Sequence, residues 1–107
     1  MRTVPVALWN GLIVRDRHCR FPGCDRPPKF CEADHVFAWE LGGETSLTNL
    51  VMFCSRHHHL KHKPGWQARL EPDGTLHLQE PGGQRHVTYP PDHPDFRFPA
   101  ARFADAA

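Results

Sequence analysis

Residues 49–62 read Asn49-Leu50-Val51-Met52-Phe53-Cys54-Ser55-Arg56-His57-His58-His59-Leu60-Lys61-His62. Four apolar residues in a row, Leu50 to Phe53, have the pattern of a short buried strand. Cys54 follows at once, and four histidines then fall between positions 57 and 62. Ser55 is a helix-capping residue type, which predicts a helix from there to Pro64-Gly65. On that helix His58 and His62, four apart, share one face and can chelate one ion. His57 and His58 are neighbours and point about 100° apart, so each can serve a different metal.

The rest of the chain fits a metal-stapled module. It has 107 residues, nine histidines, four cysteines and a formal net charge of +1. That length suits one domain with a modest core, the situation in which a metal staple is commonly needed. No apolar run approaches the roughly 18 residues of a membrane span, and the first residues lack the apolar stretch of a signal peptide. The expectation is therefore a cytoplasmic protein with reduced thiols and no membrane partner. Disulfides among Cys19, Cys24, Cys31 and Cys54 are the competing reading, with three connectivities. The crowd of histidines, which disulfides would not need, favours zinc. Charge is uneven: residues 1–63 carry nine Lys/Arg and six Asp/Glu, whereas residues 64–107 carry four and six. A mildly basic first half is compatible with a phosphate-backbone partner, and equally with an ordinary solvated surface.

Upstream, Val6, Leu8, Trp9, Leu12 and Ile13 recur at helical spacing, predicting a helix over 4–17 capped by Thr3 and packed as a lid on the metal module. Pro22 and Gly23 give the reversal between Cys19 and Cys24. Lys29 to Trp39 reads as a strand, and Gly42-Gly43 as a turn. Downstream, Gln67–Leu70 and Thr75–Leu78 flank Pro72-Asp73-Gly74 as a hairpin over 66–79, with a third possible strand at 86–89. The predicted organisation is a single α+β domain over 1–80, with its metal core at 19–63, followed by a Pro-rich, extended or disordered tail over 81–107.

Two ligand sets emerge. Cys19-x4-Cys24 and Cys54-x2-His57 each bracket a tight turn and together form a closed four-ligand set suited to structural Zn²⁺. Cys31 lies in the presumed strand, where a core role is expected; it is the alternative fourth ligand in place of His57. The second set is Asp34-His35, Asn49, His58 and His62. Asp34 and His35 alternate across a strand, so their side chains diverge and can take separate roles.

These residues resemble the HNH endonucleases, which have the ββα-metal (His-Me finger) fold. The resemblance runs from Cys19 to His62 through CRFPGC, EADHV, GG, NLVMFC and SRHHHLKH, and looks closest to the HNH domains at the C-terminal end of actinobacterial proteins. It extends loosely to the arginine-bearing helix and the GW…PDG hairpin. It implies that His35 is the general base, that Asn49 holds that base in orientation across the ββ loop, and that His58 is a ligand of the catalytic ion. Asp34 matches the ligand beside the base and His62 an optional further ligand. Cys19, Cys24, Cys54 and His57 match the structural zinc set. The departures are Cys-x4-Cys where Cys-x2-Cys is commoner, and the extra Cys31.

The chemistry is coherent on its own terms. Phosphodiester hydrolysis needs an activated water, a cation on the phosphoryl oxygen and stabilisation of the leaving 3′-oxygen. Neutral His35 would take the proton, which predicts loss of rate below about pH 6. Asp34, His58 and His62 would hold the ion and leave positions open; this N/O set suits Zn²⁺, Ni²⁺, Co²⁺, Mn²⁺ or Mg²⁺. Arg20, Arg56 and Lys61 are candidate phosphate contacts. The expected function is a metal-dependent DNA endonuclease with little sequence preference, RNA being a further substrate class. The alternatives are a zinc-stabilised nucleic-acid-binding module without catalysis, and an interaction domain. His18, His59, His77, His86 and His93 have no assigned role.

Overall fold

The computed structural model describes residues 3–97. The described residues form a small α+β structure with two α-helices and five short strands. Helix α1 spans Val6–Asp16, strand β1 Cys31–His35, strand β2 Leu50–Cys54 and helix α2 Ser55–Lys61. Strands β3 (Gln67–Leu70), β4 (Leu76–Gln79) and β5 (Arg85–Thr88) follow. β1 and β2 pair antiparallel, setting Asp34 opposite Val51 and His35 opposite Leu50. β3, β4 and β5 form a second antiparallel sheet with β4 at its centre.

β2 is the middle of the molecule. All five of its residues are buried, and the two-residue period of a strand sends them to opposite sides. Leu50 and Met52 join Leu12 of α1, with Leu8, Trp9 and Ala33 against them. Val51 and Phe53 join Leu76 and Leu78 of β4 on the other side, along with Cys19 and Cys54. Truncating Phe53 to alanine would cost about 3–5 kcal/mol by the usual cost of emptying an aromatic core site.

A buried polar hub ties these layers together. Asp16, at the end of α1, accepts from Nε and Nη2 of Arg15, from Nη1 of Arg20 and from the backbone N of Met52. Arg15 continues to the carbonyls of Leu47 and Leu50 at 2.7 and 2.6 Å, and so grips both sides of Asn49. Arg20 donates to the carbonyls of Gly74 and Thr88 at 2.7 and 2.9 Å, fastening the second sheet to the first.

Several local expectations change. α1 begins at Val6 with Pro5 as its N-cap and no side-chain cap, so Thr3 does not cap it. Cys54 occupies the N-cap position of α2, which makes Ser55 the first helical residue rather than the cap. The predicted strand 29–39 contracts to Cys31–His35, between 3-10 turns at Pro28–Phe30 and Trp39–Leu41. The third possible strand at 86–89 forms as β5, so the segment assigned to the tail is in part domain; Thr88 pairs with Leu76 and returns a hydrogen bond to the Arg20 carbonyl. Beyond it, Asp92 pairs with Arg17 and His93 with Asp73, which keeps the chain on the domain. The part of the predicted tail after residue 97 lies outside the described residues.

Candidate functional site

Two groups of side chains that could hold a metal ion meet at the β2–α2 junction. The first is Cys19, Cys24, Cys54 and His57, with one ligand atom from each lying within 4.8 Å of the others. His57 Nδ1 is 3.6 Å from Cys19 Sγ and 3.3 Å from Cys54 Sγ. Tetrahedral zinc with ordinary Zn–S and Zn–N bonds places such atoms about 3.6 Å apart, so the donors fit that ion. Cys19 and Cys54 are buried, and Phe21 stacks on the His57 ring at 4.1 Å between centroids. The Cys19 thiol is pushed up by sharing its proton with Cys24 and by burial. Cys24 is drawn below the ordinary thiol range, first by that same contact with Cys19 and also by His57. One thiol near thiolate character is the starting point for metal uptake. Cys31 stays out of the group. Its Sγ faces the carbonyls of Arg26 and Pro27, and burial pushes its thiol up to about 12.

The second group is Asp34, His58 and His62. Strand alternation turns Asp34 inward, where it is 1% exposed. Its Oδ1 lies 2.7 Å from His62 Nε2 and 3.2 Å from His58 Nδ1. The buried His58 Nδ1 has no aligned hydrogen-bond partner. An acceptor nitrogen turned toward a carboxylate oxygen, with a second imidazole beside it, suits a cation between them. Burial raises the Asp34 carboxyl, but His58, Lys61 and His62 outweigh it and leave its pKa below the usual value. The same contact with Asp34 raises His58, against its own desolvation.

Both groups therefore hang on one seven-residue helix, and adjacent residues, His57 and His58, serve different groups as the 100° turn requires. The second group opens to solvent through a cleft of about 440 Å³ whose lining includes Asp34, His35, Trp39, His58 and His62.

His35 lies in that cleft with Nε2 2.9 Å from Thr45 Oγ1. Asn49 closes the β1–β2 loop. Its Oδ1 accepts from the Phe37 N–H, and its Nδ2 donates to the carbonyls of Phe37 and Glu44. Gly43 is required here, because a Cβ would stand 1.8 Å from the Phe37 carbonyl oxygen. Two residues of the site escaped sequence reasoning. Thr45 carries no local signal, and Arg15 reaches the loop across the fold.

The three candidate phosphate contacts separate. Arg20 is 1% exposed and bound into the Asp16 hub, so it is no nucleic-acid contact. Lys61 Nζ sits 2.7 Å from Asp34 Oδ2, with its side chain 9% exposed, so it too faces inward. Arg56 is the exposed one. The sequence assigned surface roles to residues whose charge is consumed internally by Asp16 and Asp34.

The chain is 44% identical over 78 residues to "Uncharacterized protein Rv3776" of Mycobacterium tuberculosis (strain ATCC 25618 / H37Rv), covering 72% of this chain and 15% of that protein. It is 45% identical over 78 residues to "Uncharacterized protein Rv2100" of the same strain, covering 72% and 14%. The chain thus spans about one seventh of the length of these curated relatives. No solved structure matches it. Residues 17–64 match the family model described as HNH endonuclease.

Proposed function

Residues 17–64 belong to the HNH endonuclease family, and from that premise we propose that the chain is a divalent-metal-dependent nuclease hydrolysing DNA phosphodiester bonds. The observation that carries this reading is the convergence of His58 Nδ1 and His62 Nε2 on Asp34 Oδ1, in a cleft shared with His35. Asp34, His58 and His62 would hold the ion, and Mg²⁺, Mn²⁺, Ni²⁺ and Zn²⁺ are all compatible with that donor set. Bound there, the ion supplies a positive charge that polarises the phosphoryl oxygen and stabilises the leaving 3′-oxygen.

The chain's own residues would do the rest. Neutral His35 accepts the proton of the attacking water, and the Thr45 hydroxyl fixes the rotation of its ring. Asn49 holds the loop next to the base at Phe37 and Glu44, so His35 keeps its place as substrate enters. Arg56, exposed on α2, contacts a phosphate. Cys19, Cys24, Cys54 and His57 hold a structural zinc that maintains the β2–α2 junction. Four cysteines outside any disulfide suit a reducing compartment, and we assign the protein to the cytoplasm.

The test is a supercoiled plasmid incubated with the zinc-loaded protein and Mg²⁺ or Mn²⁺, with a labelled RNA in parallel. The expected result is relaxed or linear DNA, slowed about 10²–10⁴-fold in His35→Ala, the usual worth of a positioned general base. Cleavage unchanged in His35→Ala overturns the mechanism; cleavage of RNA alone overturns the substrate.

A further inference from the structure

Lys61 stands immediately before His62 and one helical turn after His58 on α2. A lysine bordering a phosphodiester-binding cleft would ordinarily extend into solvent, since its ammonium is strongly hydrated. Here it folds inward. Nζ lies 2.7 Å from Asp34 Oδ2 and 3.4 Å from the carbonyl oxygen of His35. The two oxygens of Asp34 are thereby divided, Oδ2 to Lys61 and Oδ1 to the pair of imidazoles.

We infer that Lys61 is a positioning residue of the ion site, holding Asp34 Oδ2 so that the carboxylate presents Oδ1 alone to the ion. The inference rests on the reading of Asp34, His58 and His62 as that site, and extends it. A carboxylate 1% exposed needs a partner for each oxygen, and a charged, hydrogen-bonded one is the strongest available. The ammonium has three donors, and using one on the Asp34 carboxylate and another on the His35 backbone fixes it relative to the ligand and the base at once. With Oδ2 engaged, the ion meets one oxygen and two nitrogens. That set suits imidazole-preferring transition metals better than the two-oxygen grip hard cations favour.

The experiment measures uptake of Mn²⁺ and of Ni²⁺ by calorimetry in zinc-loaded parent, Lys61→Met, Lys61→Gln and Asp34→Asn proteins, with zinc content and melting followed alongside. Lys61→Met is expected to weaken ion binding ~10–100-fold, the typical loss when a group supporting a ligand is removed. Lys61→Gln keeps a hydrogen-bond donor and is expected to recover part of that loss, and zinc content stays at the parent level in both. On plasmid, kcat falls while KM for DNA and the salt dependence of binding hold. Ion affinity unchanged in Lys61→Met, with KM raised and a shallower salt slope, overturns the inference and makes Lys61 a phosphate contact. Should Lys61→Met fail to fold, Lys61→Gln decides by the same criterion. A parent protein that takes up no ion, or takes it up equally in Asp34→Asn, overturns the ion site itself and the role of Lys61 with it.

Discussion

Two ligand groups sit one residue apart on α2, and they are built in opposite ways. The Cys19/Cys24/Cys54/His57 group is sulfur-rich, lined by core residues and stacked against Phe21. The Asp34/His58/His62 group has one carboxylate and two imidazoles, and its His62 side chain is 53% exposed beside an open cleft. The helix is common to both, so it does not decide what each group does. Closure and donor type do. Four donors closing on a point leave no position for a reactant, whereas three donors at the mouth of a cleft leave several.

That contrast can be broken by experiment. The largest effect is expected from removing the buried group's ion. Structural zinc contributes ~10–16 kcal/mol in zinc-finger peptides, as large as the whole ~5–15 kcal/mol net stability of most small domains. Chelation or Cys54→Ser should therefore abolish the cooperative melting transition seen by circular dichroism, and a zinc-free protein that melts normally would refute the closed role. Asp34→Asn should do the reverse, retaining zinc and fold while losing uptake of the second ion. Loss of both metals together would show that the two groups are not independent.

A third expectation concerns the hub that joins the sheets. Arg20→Met breaks a buried pair and should lower stability by about 3–5 kcal/mol, read in denaturant, without changing the salt dependence of DNA binding. The smallest effect is in pH. Asp34 raises His58, protonated His58 cannot ligate, and protons therefore compete with the ion as pH falls. Ion affinity should be weaker at pH 6 than at pH 8, by at most about tenfold per pH unit for one proton. An affinity flat across that range would remove His58 from the ligand set.

Local pattern carried much of this molecule. The apolar run Leu50–Phe53 reads as β2, the spacing of Cys54, His57, His58 and His62 reads as two ligand groups, and Pro72-Asp73-Gly74 reads as the turn between β3 and β4. What stayed hidden was the fate of the charges. Arg20 and Lys61 look like surface cations because the sequence does not show that Asp16, four residues before Arg20, and the distant Asp34 will hold them inside the fold. Arg15 is the same case, its guanidinium reaching carbonyls more than thirty residues away. β5 reads as a possible strand at 86–89, but its proline-rich neighbourhood puts it in the tail instead of the domain. It gains strand geometry from pairing with β4, a tertiary effect that overrides composition.

The brevity of α2 has a consequence in time. Seven residues are too few for a helix to persist unaided in water. The turn that aligns His58 with His62 is therefore expected to exist only once Cys54 and His57, at its start, have been drawn onto their metal. With the two groups loaded as proposed, uptake would have an order: a newly made chain would capture zinc first, and the cleft would become able to take its second ion only afterwards. A cell short of zinc would make this protein without arming it.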